Sequence, residues 1–167
     1  MRFSFEQRYA APPDVVMAAF TDPELYPTYH GLTKVAPPEV ISCRDDGDEV
    51  HLRLQMRFIA PLNSAVTAVV DPAKLTWVQD ELYDPAAGRV AVRFDPDNYA
   101  DRISCSGSYL FTADPADANR TVRRIEGDFK VKVFLVGGQV EKAMVSGLRE
   151  HYDEEQPLVE RWLDQRR

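Results

Sequence analysis

The C-terminal stretch from Val131 to Arg167 constrains the fold more than any other part of the chain. It opens on an alternation in which Phe129, Val131 and Val133 take turns with Lys130 and Lys132, a strand pattern that ends at Gly137–Gly138. Beyond the glycines the period changes. Val140, Met144, Leu148, His151, Glu155, Val159 and Trp162 recur at spacings of three and four, so they share one helical face. A helix over residues 138–165 is roughly 40 Å long at about 1.5 Å per residue. An apolar stripe of that length needs an apolar surface to match, which one curved antiparallel sheet supplies. Pro157 removes a backbone donor and collides with the turn containing Asp153, which predicts a bend there or a break between two helical pieces.

The preceding chain provides the strands. Residues 2–10 alternate, with Phe3, Phe5 and Gln7 on one side. Pro12–Pro13 then open a short helix over residues 13–20, and Asp22–Pro23 open a second of two turns at most, stopped by Pro27 and Gly31. After a strand through Val40 and Ile41, the polar run 44–48 reads as a hairpin turn around Gly47. Val50, Leu52, Leu54, Met56 and Phe58 follow on one parity, with His51, Arg53, Gln55 and Arg57 on the other, as a half-buried strand requires. Val66, Val69 and Val70, fenced by Pro61 and Pro72, favour a short helix over a strand. Further strands are expected over 75–83, 88–94, 102–112 and 121–134, separated by Asp-Pro turns. The result is an α+β order, β-α-α-β6-α, with about seven strands in one domain over residues 1–167. Gly107 and Gly127, on inward parity, mark a bend in the sheet or room for a ligand.

Composition narrows the function classes. Asp plus Glu number 27 against 20 Lys plus Arg, a formal charge of −7, which disfavours a phosphate-backbone partner, so no nucleic acid is expected. No apolar run is long enough for a spanning helix, and Met1 leads directly into a strand, so stable membrane insertion is not expected and the cytoplasm is the default location. Cys43 and Cys105 lack metal or redox spacing and read as small buried side chains. His30, His51 and His151 are scattered, no nucleophile elbow or zinc motif occurs, and neither a metal nor a cofactor is expected.

These elements carry a family resemblance. The opening strand with Pro12–Pro13–Asp14–Val15–Val16, then Asp22–Pro23–Glu24–Leu25–Tyr26, and at the other end Val136–Gly137–Gly138–Gln139–Val140 and Trp162–Leu163, together resemble the START-like or SRPBCC superfamily of helix-grip proteins. The likeness is greatest to a bacterial branch of unassigned function related to polyketide cyclases and dehydrases. It covers nearly the whole chain, but its motifs are structural, so no catalytic residue carries over. What the resemblance implies is a cavity between sheet and long helix that holds an apolar molecule.

On that basis the expected partner is a hydrophobic small molecule or lipid, bound by a monomer or homodimer. Leu52, Leu54, Met56, Phe58, Val92, Phe94, Tyr109, Phe129, Met144, Leu148 and His151 are the candidate ligand-binding residues, though the same side chains could simply fill a core. Tyr26, Tyr29 and Leu32 are candidates for a lid over the cavity mouth or, in a protein-interaction module without ligand, a partner surface. The alternative is a cyclase or dehydrase enzyme. Its candidate acid–base groups are His151 and Glu155, four apart on one helical face, with Tyr109 to orient a carbonyl. An ordinary salt bridge competes with that reading of the pair.

Overall fold

The computed structural model describes residues 1–68 and 70–166. Its strands are β1 (Arg2–Tyr9), β2 (Glu39–Asp45), β3 (Val50–Arg57), β4 (Thr76–Asp84), β5 (Arg89–Pro96), β6 (Ile103–Asp114) and β7 (Asp117–Val131). Helix α1 (Pro13–Thr21) follows β1, the single turn α2 (Ser64–Thr67) follows β3, and α3 (Gly137–Asp164) closes the chain. The seven strands form one antiparallel sheet in the order β1-β7-β6-β5-β4-β3-β2. Each strand from β2 to β7 pairs with its sequence neighbour, while β1 pairs with β7 (Phe5 opposite Ile125). The segment containing α1 therefore carries the chain from one edge of the sheet to the other.

Alternation decides which face is core. Val50, Leu52, Leu54 and Met56 of β3 are buried while the residues between them are half exposed, and the sheet's inner face closes over α3. All seven residues of the α3 stripe, from Val140 to Trp162, are buried. Gly147 is part of that face because the Phe58 ring lies where its side chain would be, 2.6 Å from an added Cβ. Full burial of side chains such as Leu52 and Val159 contributes about 1.5–3 kcal/mol each.

Several sequence expectations change. The expected break at Pro157 does not occur, since α3 runs through it as one helix. Pro157 and Asp153 are both on the exposed face, where water can satisfy the carbonyl that the proline leaves unbonded. The second early helix shrinks to one 3₁₀ turn, Tyr26–Thr28. Val66 is helical and Val70 lies beyond α2, while Val69 is outside the described residues. Gly107 and Gly127 are cross-strand partners. A Cβ on Gly107 would meet the Glu126 carbonyl at 2.2 Å, and one on Gly127 would meet the Phe3 ring at 2.4 Å. Close backbone approach and Phe3 therefore take up the space that a ligand could have used.

Candidate functional site

Between sheet and α3 the interior has two neighbourhoods, one polar and one apolar. The polar one is built by strand parity. Gln7 shares the inward face of β1 with Phe5 and Tyr9, and Arg123 shares that of β7 with Ile125 and Phe129. Arg123 Nη1 donates to Glu155 Oε2 at 2.7 Å and to Gln7 Oε1 at 2.9 Å. Gln7 Nε2 donates to the Tyr152 carbonyl at 2.6 Å and to Glu155 Oε2 at 3.2 Å, while the Tyr9 hydroxyl donates to Gln7 Oε1 at 2.8 Å. The Arg123 guanidinium carbon lies 4.1 Å from the Phe20 ring centroid and 4.2 Å from that of Tyr109. Burial, the largest single influence, works against the Arg123 charge, but Glu155 together with Tyr9, Tyr109 and Tyr152 outweighs it and keeps the guanidinium protonated.

A second carboxylate stands on β4. Glu81 accepts from Tyr83 at 2.5 Å and from Gln79 Nε2 at 2.5 Å. Gln79 Nε2 also reaches the Tyr109 hydroxyl at 3.3 Å, and that hydroxyl lies 3.2 Å from the hydroxyl of Tyr152. Burial raises the Glu81 carboxyl above its ordinary range, with Tyr83, Arg123 and Gln79 pulling the other way. Tyr152 joins the two clusters, through its carbonyl to Gln7 and through its hydroxyl to Tyr109.

The acid–base candidates do not act as the sequence pairs them. Glu155 is bound to Arg123, Gln7 and Tyr29 and makes no hydrogen bond to His151 among the described residues. His151 is buried, its Nδ1 has no hydrogen-bond partner among the described residues, and burial lowers its pKa, so it favours the neutral ring. Burial also holds the Tyr109 hydroxyl well above its ordinary value. Tyr26 and Tyr29 are buried, their hydroxyls donating to the Phe20 carbonyl at 2.6 Å and to Glu155 Oε1 at 3.3 Å, and Leu32 sits at the edge of the core. A partner surface would need the two rings outside. Their hydroxyls instead tie this short turn to α1 and α3.

The apolar neighbourhood is a cavity of about 30 Å³. Its walls are Leu75, Trp77, Phe94, Ile103, Cys105, Phe129, Met144 and Leu148, with Lys74, Thr76, Pro96 and Asn98 completing the lining. Phe94, Phe129, Met144 and Leu148 are among the expected lining residues. Leu52, Leu54, Met56, Phe58, Val92, Tyr109 and His151 are buried but pack within the core instead. The space suits about one water, against ~300–1,000 Å³ for ordinary ligand pockets, so side chains fill most of this interior. Burial pushes the Cys105 thiol up to about 12, which leaves it inert. Among the described residues no His, Cys, Asp and Glu cluster could hold a metal, and no helix is long and apolar enough to cross a membrane.

From the sequence, Gln7 falls on the side of Phe3 and Phe5 without a role, and Gln79, Glu81 and Arg123 are passed over. Parity was the available signal, since each alternates in step with buried apolar residues of its own strand.

A seven-stranded antiparallel sheet closed over one long C-terminal helix is the helix-grip fold of the START-like superfamily. Solved structures agree. Norcoclaurine synthase from Thalictrum flavum, in complex with dopamine and hydroxybenzaldehyde, superposes with TM-score 0.65 at 15% identity, covering 100% of this chain and 88% of that one. The Zhui aromatase/cyclase from Streptomyces sp. R1128 gives 0.64 at 16% identity, covering 99% and 94%. A START superfamily protein from Mycobacterium smegmatis gives 0.58 at 16%, covering 96% and 98%. At such identities the likeness is one of fold. The chain belongs to the DUF2505 family, described as a protein of unknown function, whose family model matches residues 4–163. No curated protein matches.

Proposed function

We propose that residues 1–167 act as one ligand-binding domain that holds a hydrophobic small molecule or lipid between the sheet and α3, as a carrier or sensor in the cytoplasm, without covalent chemistry. The observation that carries this is the apolar cavity between Trp77 and Phe94 on the sheet and Met144 and Leu148 on the helix. Its one thiol is inert, and in the polar cluster beyond it Arg123 commits Nη1 to Glu155 and Gln7, leaving its buried Nε without a hydrogen-bond partner among the described residues. The structural neighbours lend support, because one is complexed with dopamine and hydroxybenzaldehyde and another is an aromatase/cyclase. At about 30 Å³ the cavity must widen on binding, and Met144, unbranched and soft, is the wall residue best able to yield.

Titration with a fluorescent apolar probe tests this. Saturable one-to-one binding that is lost in both Met144→Trp and Cys105→Phe, with circular dichroism unchanged, is the expected result. Binding that persists in both variants would place the ligand elsewhere and sink the assignment.

A second reading, acid–base catalysis of the cyclase or dehydrase kind, draws on buried His151, whose Nδ1 has no hydrogen-bond partner among the described residues. It requires that a His151→Gln variant lose turnover of a polyketide-like substrate while keeping its affinity for that substrate.

A further inference from the structure

We propose that the molecule held in this cavity carries a neutral hydrogen-bond acceptor, a ketone, ester or ether oxygen, which accepts from the Trp77 indole Nε1–H. This rests on the ligand-binding reading and adds to it the chemical class of the ligand. Trp77 stands on the inward parity of β4 with Gln79, Glu81 and Tyr83, is 7% exposed, and forms part of the cavity wall beside Phe94, ring centroids 5.7 Å apart. Its Nε1 is buried and has no hydrogen-bond partner among the described residues. Buried donors are almost always satisfied, because an orphaned one has given up water for nothing. The other tryptophan is not in this position. Trp162 is covered by the Arg166 guanidinium, 3.2 Å from its ring centroid, and its nitrogen is not among the buried side-chain atoms of the described residues that lack a partner.

The surroundings of Trp77 say what the missing partner is. Leu75, Phe94, Ile103, Phe129 and Leu148 bring no acceptor side chain, the two sulfur atoms, of Cys105 and Met144, are weak ones, and the side-chain oxygens of Thr76 and Asn98, also in the lining, make no hydrogen bond to the indole among the described residues. The Trp77 carbonyl is already taken by Gln55 Nε2 at 3.2 Å. One donor in an apolar wall fixes one acceptor on an otherwise apolar ligand. A charged acceptor fits poorly, because the one cation in the lining, Lys74, is exposed. Water could fill a space of about 30 Å³, but it needs two to four polar partners and the wall offers few.

The test uses two probes with one fused-ring skeleton, tetralin and α-tetralone, which differ only by a carbonyl. Affinities are measured for the wild-type chain and for Trp77→Phe, which keeps an aromatic ring but has no donor. In parallel, the two indole N–H resonances of the wild-type chain are followed by nitrogen-15 NMR. Both probes are expected to bind, and only the ketone to move the Trp77 indole proton downfield, with Trp162 unmoved. The ratio of ketone to hydrocarbon affinity is expected to fall by about fivefold or more in Trp77→Phe. The resonance shift needs no variant, so it stands even if Trp77→Phe folds poorly. Binding of both probes with no indole shift and an unchanged ratio would overturn the proposal and leave the ligand-binding reading intact. If neither probe binds, that reading fails and this one with it.

Discussion

Arg123 and Glu155 form a buried ion pair, Nη1 to Oε2 2.7 Å, with side chains 2% and 7% exposed. It links β7 to the middle of α3, and Gln7 of β1 bonds to both partners. In a low-dielectric interior such a pair gains little over apolar packing, but one member left alone is costly.

Removing one partner should therefore destabilise strongly. Arg123→Met or Glu155→Leu is expected to cost about 3–5 kcal/mol in urea unfolding. The double variant Arg123→Met with Glu155→Leu should cost clearly less than the sum of the two, since no unpaired charge remains. Additive losses would show that the residues do not act as a pair.

Glu81 and His151 predict pH dependences of opposite sign. Burial raises the Glu81 carboxyl above its ordinary 4.5, so the folded state binds its proton more tightly than the unfolded chain does. That contribution is complete below about pH 4.5 and is lost as pH rises through the folded-state value. Burial lowers His151 below its ordinary 6.5, so its contribution is complete above about pH 6.5 and is lost as pH falls through the folded-state value. Relative to Glu81→Gln, wild-type stability should fall with rising pH from about 4.5, at no more than about 1.4 kcal/mol per pH unit. Relative to His151→Phe it should fall as pH drops below about 6.5. Unfolding free energies measured every half unit from pH 4 to 8 would expose either sign being wrong.

Gly147 trades helix propensity against packing. Alanine is worth about 1 kcal/mol more than glycine within a helix, yet here its Cβ would lie 2.6 Å from the Phe58 ring. Overpacking costs about 1–3 kcal/mol, so Gly147→Ala should be net destabilising. In a Phe58→Leu background the same change should become neutral or stabilising. Thermal unfolding of the four proteins decides this, and a stabilised single variant would count against the contact.

The fold was legible because its signals are periodic and local. The α3 stripe, the parity of β3 and the turn at Gly47, with φ +91°, are each written within a few residues. The polar cluster was less so. Arg123 and Glu81 alternate inward, but charge alone argues for solvent. Glu81 is met by Gln79 and Tyr83 of its own strand, whereas the partners of Arg123 are distant in sequence and in turn bond each other (Gln7 and Glu155 are 148 apart). Pro157 breaks helices by local rules, yet it lies on the outer face, where the defect is tolerated. Whether Leu52 or Phe58 lines a space or fills it depends on packed volumes, which periodicity does not encode.

The most direct measurement of the central claim is native mass spectrometry of the purified chain, followed by solvent extraction and identification of what is released. The account predicts a stoichiometric apolar adduct, absent from Met144→Trp and Cys105→Phe. A bare chain whose thermal unfolding no lipid or polyketide in a broad panel can raise would contradict it.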